Sequence, residues 1–384
     1  MRRRAVVIGA GVIGTAVAWN LRAIDRTIDV KLVDTHLPSV GATAYSAGII
    51  RRHHTRASDT RLAAESVAFF RTFGSIVGGQ SGYTPRGFLA IVAAEHTDAL
   101  LANRQISEQF GTPTELLNAD DLCRAFPALR VRSGELAVLE NDGGFGSPSA
   151  TRDAFLAAFI RLHGIWMPGT EVTGLDWSSS NIWTVATNVG AIEADDVIVC
   201  AGAAASRLLR PIGVGAPVTP RRIGLAILRT DGPTHDLPVC IDDVTGAYFV
   251  GRGDGTVAAG VRARPEDSNI IPARPLDISE IEDAVTRTAR RVPALAGAAV
   301  LGSQAACDGY TPDGRPLLGP VGGSPGLHLA IGFSGGGYKI SPAVGRSVAA
   351  SVLYGKVDPT IVDYAPGRFA VGQPLVSEMP YVHY

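Results

Sequence analysis

Gly9, Gly11 and Gly14 stand in the spacing G-x-G-x-x-G within "VVIGAGVIGTAVAWNL" (Val6–Leu21). Ala5–Ile8 reads as a buried parallel strand and Thr15–Ala23 as a helix. The turn between them would use one glycine for tight geometry, one for close approach of a pyrophosphate, and one for helix-on-strand packing. The phosphates would meet the free N–H groups and positive dipole end of the helix, with Val12 and Ile13 in the glycine turn ahead of it also expected to bind the cofactor. A second apolar stretch, Val30–Val33, ends at Asp34, twenty positions beyond Gly14. An acid there is placed to accept hydrogen bonds from a ribose diol and would repel a 2′-phosphate, which disfavours NADP. Thr35 and His36 follow on the same rim. A second glycine-rich turn, "GFSGGGYK", runs Gly332, Phe333, Ser334, Gly335, Gly336, Gly337, Tyr338, Lys339. Lysine occurs only at positions 31, 339 and 356, so a lysine beside such a turn stands out.

Arg2–Arg4 ahead of an apolar run also has the outline of a secretion signal. The three glycines are poor helix formers and fit the turn instead. No stretch is long and apolar enough to span a bilayer. The chain of 384 residues suggests two domains or one composite unit with a substantial core. A formal net charge of −1 gives no basic surface for nucleic acid or anionic membrane. Cys123, Cys200, Cys240 and Cys307 are too scattered for a zinc site or a disulfide framework, so no metal and a reducing, cytoplasmic location are expected.

The elements that must position these residues follow in order. Residues 1–75 read β-α-β, then a loop rich in glycine, alanine and serine, then a helix near Ser58–Phe73. Gly87–Ala93 reads as a strand, Asp98–Phe110, Asp120–Phe126 and Ser149–His163 as helices, and Glu140–Ala150 as loop. "TEVTGLDW", "IWTVATNVG" and "AIEADDVIVCAGAA" read as three strands, the last ending at Ala201 and Gly202. "RRIGLAILRT", "GAYFVGR" and "TVAAGVRA" form an antiparallel set. Ser279–Arg291 is a helix, "LHLAIG" a strand, and Ser341–Leu353 a helix opened by a well-tolerated early proline. No pattern is evident beyond Tyr364. Ligand-like turns near both ends, with β-rich material between, suit a large dinucleotide whose far end is clasped by the C-terminal segment.

These segments, with "VDTHLPSVGATAYSAGIIRR", "DGGFGSPSATRDAFLAAFIRLHG", "GTEVTGL", "DDVIVCAGAAAS" and "GYTPDGRPLLGP", resemble the D-amino-acid oxidase family of flavoproteins, which includes glycine and sarcosine oxidases. The resemblance covers residues 4–356. It implies an α/β (α+β composite) fold, with a Rossmann-like FAD-binding domain (1–80, 149–212, 300–356) interleaved with a mostly antiparallel substrate domain (81–148, 213–299). A C-terminal tail, 357–384, follows. It implies that Ala42, Thr43, Ser46, Ala47 and Gly48 lie beside the pyrophosphate and flavin ring, that Val172 lies near adenine, and that Ala201 and Gly202 lie near the pyrophosphate. The turn 332–339 would meet the flavin, where a helix N-terminus stabilises the reduced ring's anion.

The same resemblance implies that Lys339 and Arg51 converge on a substrate carboxylate, with Arg52 and His53 one register step away. Tyr248 and Arg252 would cover the substrate side of the flavin. Arg262 takes the place of an active-site histidine of sarcosine oxidases. Cys307 lies one position off the register of the cysteine that attaches flavin in those members, which favours noncovalent FAD. Ala258 stands where they carry an oxygen-activating lysine. The expected activity is oxidation of the CH–NH bond of a small amino acid or N-alkyl amino acid. The electrons would pass to O2, a carrier or a partner subunit. The alternatives are a 2-hydroxy-acid dehydrogenase using His53 or His54 as base, and a dinucleotide-binding module without catalysis.

Overall fold

The computed structural model describes residues 2–35, 41–178, 180–265, 275–377 and 379–380. His36 lies outside them. β1 (Arg4–Ile8), α1 (Val12–Ile24) and β2 (Asp29–Asp34) form the expected βαβ unit. β1 pairs in parallel with β2 on one side and with Asp196–Val199 on the other. Leu327–Ile331 adds to Asp196–Val199 and Ile165–Pro168 to β2, both in parallel. Leu317–Pro320 closes one edge antiparallel, giving a six-stranded sheet. Strands buried on both faces read as continuous apolar runs, as β1 does.

The second layer is an eight-stranded sheet. Its strand order is Ala299–Tyr310, Thr219–Arg229, Thr256–Pro265, Ala247–Gly251, Val239–Asp242, Phe88–Val92, Leu136–Glu140 and Glu115–Leu117. Every pairing in it is antiparallel except that of Val239–Asp242 with Phe88–Val92. The expected α/β composite, a Rossmann-like part beside a mostly antiparallel part, is therefore the fold. Four of these strands were not read from the sequence: Ala299–Tyr310, and Val239–Asp242, Leu136–Glu140 and Glu115–Leu117, which are too short to show clear alternation.

The segment "AIEADDVIVCAGAA" is two strands rather than one. Gly190–Ala194 is the outer arm of a small meander with Val172–Trp177 and Trp183–Thr187, while Asp196–Val199 enters the parallel sheet. Acidic residues mark the crossing. Asp195 accepts from the Arg4 backbone N–H at 2.7 Å, and Asp196 takes the Arg3 guanidinium at 2.6 and 2.8 Å.

The C-terminal helix begins at Gly337, four residues before the position expected, and runs to Tyr354. Lys339 is therefore helical, and Pro342 lies a turn inside the helix, where its ring removes a backbone bond. The Ser66 hydroxyl, on the neighbouring helix Ala57–Arg71 (α2), accepts from the Ala343 N–H at 3.2 Å. The C-terminal helix packs on α1 so closely that a Cβ at Gly345 would lie 2.7 Å from that of Ala16. No helix among the described residues is long and apolar enough to cross a membrane.

Candidate active site

The first glycine turn has no room for side chains. Gly9 has φ +103°, and a Cβ there would sit 2.5 Å from the Cys200 carbonyl oxygen. A Cβ at Gly14 would sit 1.8 Å from the Gly9 oxygen. Both rows of backbone are pressed together, which leaves the α1 N-terminus facing outward with no capping side chain from Gly11. Asp34 closes the turn by accepting from the Ala10 N–H at 2.6 Å, and Thr43 Oγ1 accepts from the Val12 N–H at 3.1 Å. Ala42 and Thr43 lie in a single 3-10 turn, Ala42–Tyr45. Gly48 has φ +69° and lies flat on Gly146, whose oxygen would be 2.2 Å from a Cβ. Ala201 and Gly202 follow the end of the strand Asp196–Val199 beside this turn, Ile13 is buried in α1, and Thr35 is exposed at the rim. Val172 opens the meander on the same side, half-buried.

A cavity of about 390 Å³ opens between the segment that follows Ala42–Tyr45, the turn 333–340 and the eight-stranded sheet; Gly9, Gly11 and Gly14 are not among its lining residues. Ser46, Ala47, Arg51, Tyr248, Arg262, Phe333, Ser334, Gly335, Gly336, Tyr338 and Lys339 all line it. The turn 332–336 is tied to the strand Ala299–Tyr310. The Ser334 N–H donates to the Gly309 carbonyl at 2.9 Å, and Asp308 accepts from the Gly335 and Gly309 N–H groups at 2.7 and 2.8 Å. Burial raises the Asp308 carboxyl, and these two N–H groups oppose the rise. The Tyr338 hydroxyl points into the scaffold, 3.1 Å from Thr151 Oγ1.

Lys339 is buried in the first turns of the C-terminal helix, its Nζ donating to the Gly336 carbonyl at 3.3 Å. Burial first, and the Arg51 guanidinium second, pull its ammonium down from 10.5 to about 7, with Asp59 and Asp308 opposing. Arg51 donates to the His53 carbonyl and its guanidinium lies 5.4 Å from the Phe88 ring centre. Tyr248, pushed up by burial to about 12, lays its ring over Gly260, where a Cβ would fall 1.8 Å from the ring.

The structure does not bring three of the expected residues here. Arg52 turns from the cavity to Glu140 and Asp142, because adjacent residues on an extended segment face opposite ways. His53 is fully buried outside the cavity, Nδ1 3.3 Å from Ser107 Oγ. Arg252 is exposed beyond the end of Ala247–Gly251, where its N–H closes a hairpin turn on the Thr256 carbonyl at 3.1 Å. Cys307 is buried and is not among the lining residues.

His54, the alternative base of the 2-hydroxy-acid reading, lines the cavity; Asp59, Arg287, Tyr310, Arg315 and Tyr364 line it too and were not found by sequence reasoning. Asp59 binds Arg315 Nε at 2.5 Å and the Tyr364 hydroxyl at 2.6 Å, joining segments that are distant in the chain. His54 is held well below 6.5, first by burial and then by Arg51 and Lys339. Its Nε2 has no hydrogen-bond partner among the described residues.

The family model for FAD dependent oxidoreductases (DAO) matches residues 4–351. The chain belongs to the DAO family of FAD-dependent oxidoreductases. FAD dependent oxidoreductase domain-containing protein 1 of Xenopus laevis is 27% identical over 425 residues, covering 98% of this chain and 84% of the relative. Human peroxisomal sarcosine oxidase is 26% identical, covering 95% of each chain. The solved L-proline dehydrogenase of P. horikoshii superposes with a TM-score of 0.87 at 23% identity over 97% of this chain and 99% of that one.

The residues present fit FAD. A DAO-family enzyme needs a pyrophosphate cradle without side chains, and Gly9 and Gly14 provide one that a Cβ would fill. It also needs a second clasp, and the uncapped N-terminus of the C-terminal helix meets the cavity at Gly336.

Proposed function

We propose that this DAO-family enzyme oxidises the CH–NH bond of a small amino acid or N-alkyl amino acid. The observation that carries this reading is the pairing of two buried cations, Arg51 and Lys339, in one cavity beside the glycine-rich clasp. A carboxylate held by both would be fixed in position, and orientation alone supplies much of the rate in such a reaction. FAD, when bound, supplies the two-electron acceptor for the hydride leaving the carbon next to nitrogen. The substrate's nitrogen lone pair forms the C=N bond as the hydride departs. Water then converts the imine to a carbonyl compound and the free amine.

Tyr248 covers the substrate, and the phenol remains protonated at neutral pH as a hydrogen-bond donor. Gly9, Gly11, Gly14, Thr43, Ser46 and Gly48 would hold the dinucleotide, Asp34 its ribose, and the turn 332–337 its flavin ring. The cofactor is held noncovalently, consistent with Cys307 lying outside the cavity. The six-stranded sheet serves the cofactor and the eight-stranded sheet the substrate. The human relative's name, peroxisomal sarcosine oxidase, supports an N-methyl amino acid among the substrates.

A 2-hydroxy-acid substrate would need a base for the hydroxyl. His53 is outside the cavity and His54 is held so low that it is a weak base. The amine reading therefore stands ahead. Ala258 supports an electron acceptor other than O2, since it is buried in an apolar cluster that offers no cation.

Anaerobic titration of the yellow protein with N-methyl and unmodified amino acids tests the reading. Bleaching near 450 nm by at least one of them is expected. Bleaching by lactate-type acids alone, or a colourless protein, would overturn it. Acid precipitation should leave the yellow colour in the supernatant.

A further inference from the structure

Arg51, Arg262, Arg287, Arg315 and Lys339 line the cavity against Asp59 alone. Two of these cations are committed to the scaffold. Arg287 donates to Asp283 at 2.9 Å, to the Gly260 carbonyl at 3.1 Å and to the Gly246 carbonyl. Arg315 is paired with Asp59 at 2.5 Å and reaches Ser377 at 3.3 Å. Arg51 and Lys339 serve the substrate carboxylate in the function proposed above. One cation remains without an assignment, and no acid or carbonyl among the described residues accepts from it: Arg262.

The backbone places Arg262 deliberately. In the antiparallel pair Thr219–Arg229 with Thr256–Pro265, Gly224 faces Val261 and Arg222 faces Arg264. Arg262 and Ala263 together therefore oppose Ile223 alone, which is a β-bulge. A bulge turns side chains away from simple alternation and is a common device beside active sites. Arg262, Ala263 and Ile223 all line the cavity. Two positions earlier, Gly260 gives its space to the Tyr248 ring, so the ring and the guanidinium occupy the same wall. Lys339 comes from the C-terminal helix and Arg262 from the eight-stranded sheet, so the two cations come from different walls.

We propose that Arg262 selects a second anionic group on the substrate, so that amino or N-alkyl amino acids with two carboxylates are preferred. The chemistry of turnover rests on the function proposed above, but binding of two anionic groups does not.

The experiment uses the purified yellow protein and redox-inert acids as probes. Malonate and succinate are compared with acetate and propionate by calorimetry and by perturbation of the flavin spectrum. The dicarboxylates should bind at least tenfold more tightly. Arg262→Met should reduce that ratio about tenfold, and Arg262→Lys should keep most of it. Unchanged flavin content and melting temperature would show that both variants are folded. Equal affinity for both classes, or a ratio unmoved in Arg262→Met, would overturn the inference. In parallel, iminodiacetate and N-methylaspartate should bleach the flavin at lower concentration than N-methylglycine. Tight succinate binding with no bleaching by any amine would keep the inference and remove the amine-oxidising reading. Bleaching by N-methylglycine with no dicarboxylate preference would do the reverse.

Discussion

Lys339 shows what a buried charge costs and what it can do. Its folded pKa of about 7 lies below the ordinary 10.5, so between those values the unfolded chain holds a proton that the native chain lacks. Stability from this group therefore rises with pH across that window and is lowest where the lysine is charged in both states. Lys339→Met removes the penalty and should stabilise the protein by about 1 kcal/mol at pH 7, as thermal melts would show. The same change should weaken carboxylate binding roughly 10–100-fold, the worth of a charge-assisted hydrogen bond. In the native protein, acetate binding should be flat below pH 6.5 and weaken above 7.5 by up to about tenfold per unit as Lys339 loses its proton. A calorimetric pH series should show that slope, and Lys339→Met should flatten it. The glycine cradle makes a sharper demand. Gly14→Ala puts a Cβ 1.8 Å from the Gly9 oxygen, against backbone that cannot step aside. Loss of most bound flavin, read as the ratio of absorbance at 450 to 280 nm, is expected.

At the scale of elements, what was legible in the sequence follows from how local its cause is. The βαβ turn was legible because Gly9, Gly11, Gly14 and Asp34 act through short-range geometry. The start of the C-terminal helix was not. Gly335 and Ser334 take positive φ, at +82° and +51°, and only their bonds to Asp308 and Gly309 show where the turn ends. Asp59 and Arg315 were missed for the same reason, since their pairing joins residues far apart in the chain. The tail, without pattern in sequence, is held by specific bonds. Arg368 lies in a buried pair with Asp313 at 2.8 Å and donates to the Pro316 and Arg315 carbonyls at 2.8 Å. The Leu375 N–H also donates to Asp313 at 2.9 Å. Arg315 continues from this loop to Asp59 in the cavity. Arg368→Ala leaves Asp313 buried with part of its partnership gone, which costs about 3–5 kcal/mol. The melting temperature should fall by roughly 4–6 °C, and KM should rise because Arg315 loses its anchor.

Across the whole molecule, charge is placed unevenly around one cavity. Lys339 and Arg51 lie where the C-terminal helix and the segment before α2 meet, and Arg262 stands at the bulged end of its strand in the eight-stranded sheet. The central face of the eight-stranded sheet is apolar: Phe88, Ala90, Val239, Val250 and Ala258 form a buried cluster with Ala47 and Ile49 packed on it. Reduction of O2 begins by placing an electron on a neutral molecule, and a fixed positive charge beside the developing anion lowers that barrier. Ala258, 1% exposed within this cluster, supplies none. Arg51, Lys339 and Arg262 would already be paired with the substrate's carboxylates. The reduced protein should therefore pass electrons to a quinone or a phenazine dye at least tenfold faster than to O2. Stopped-flow reoxidation of protein reduced by substrate measures both rates on one sample. Reoxidation by air-saturated buffer as fast as by dye would mean that Arg51 or Lys339 activates oxygen despite the substrate, and Lys339→Met should then slow the air reaction alone.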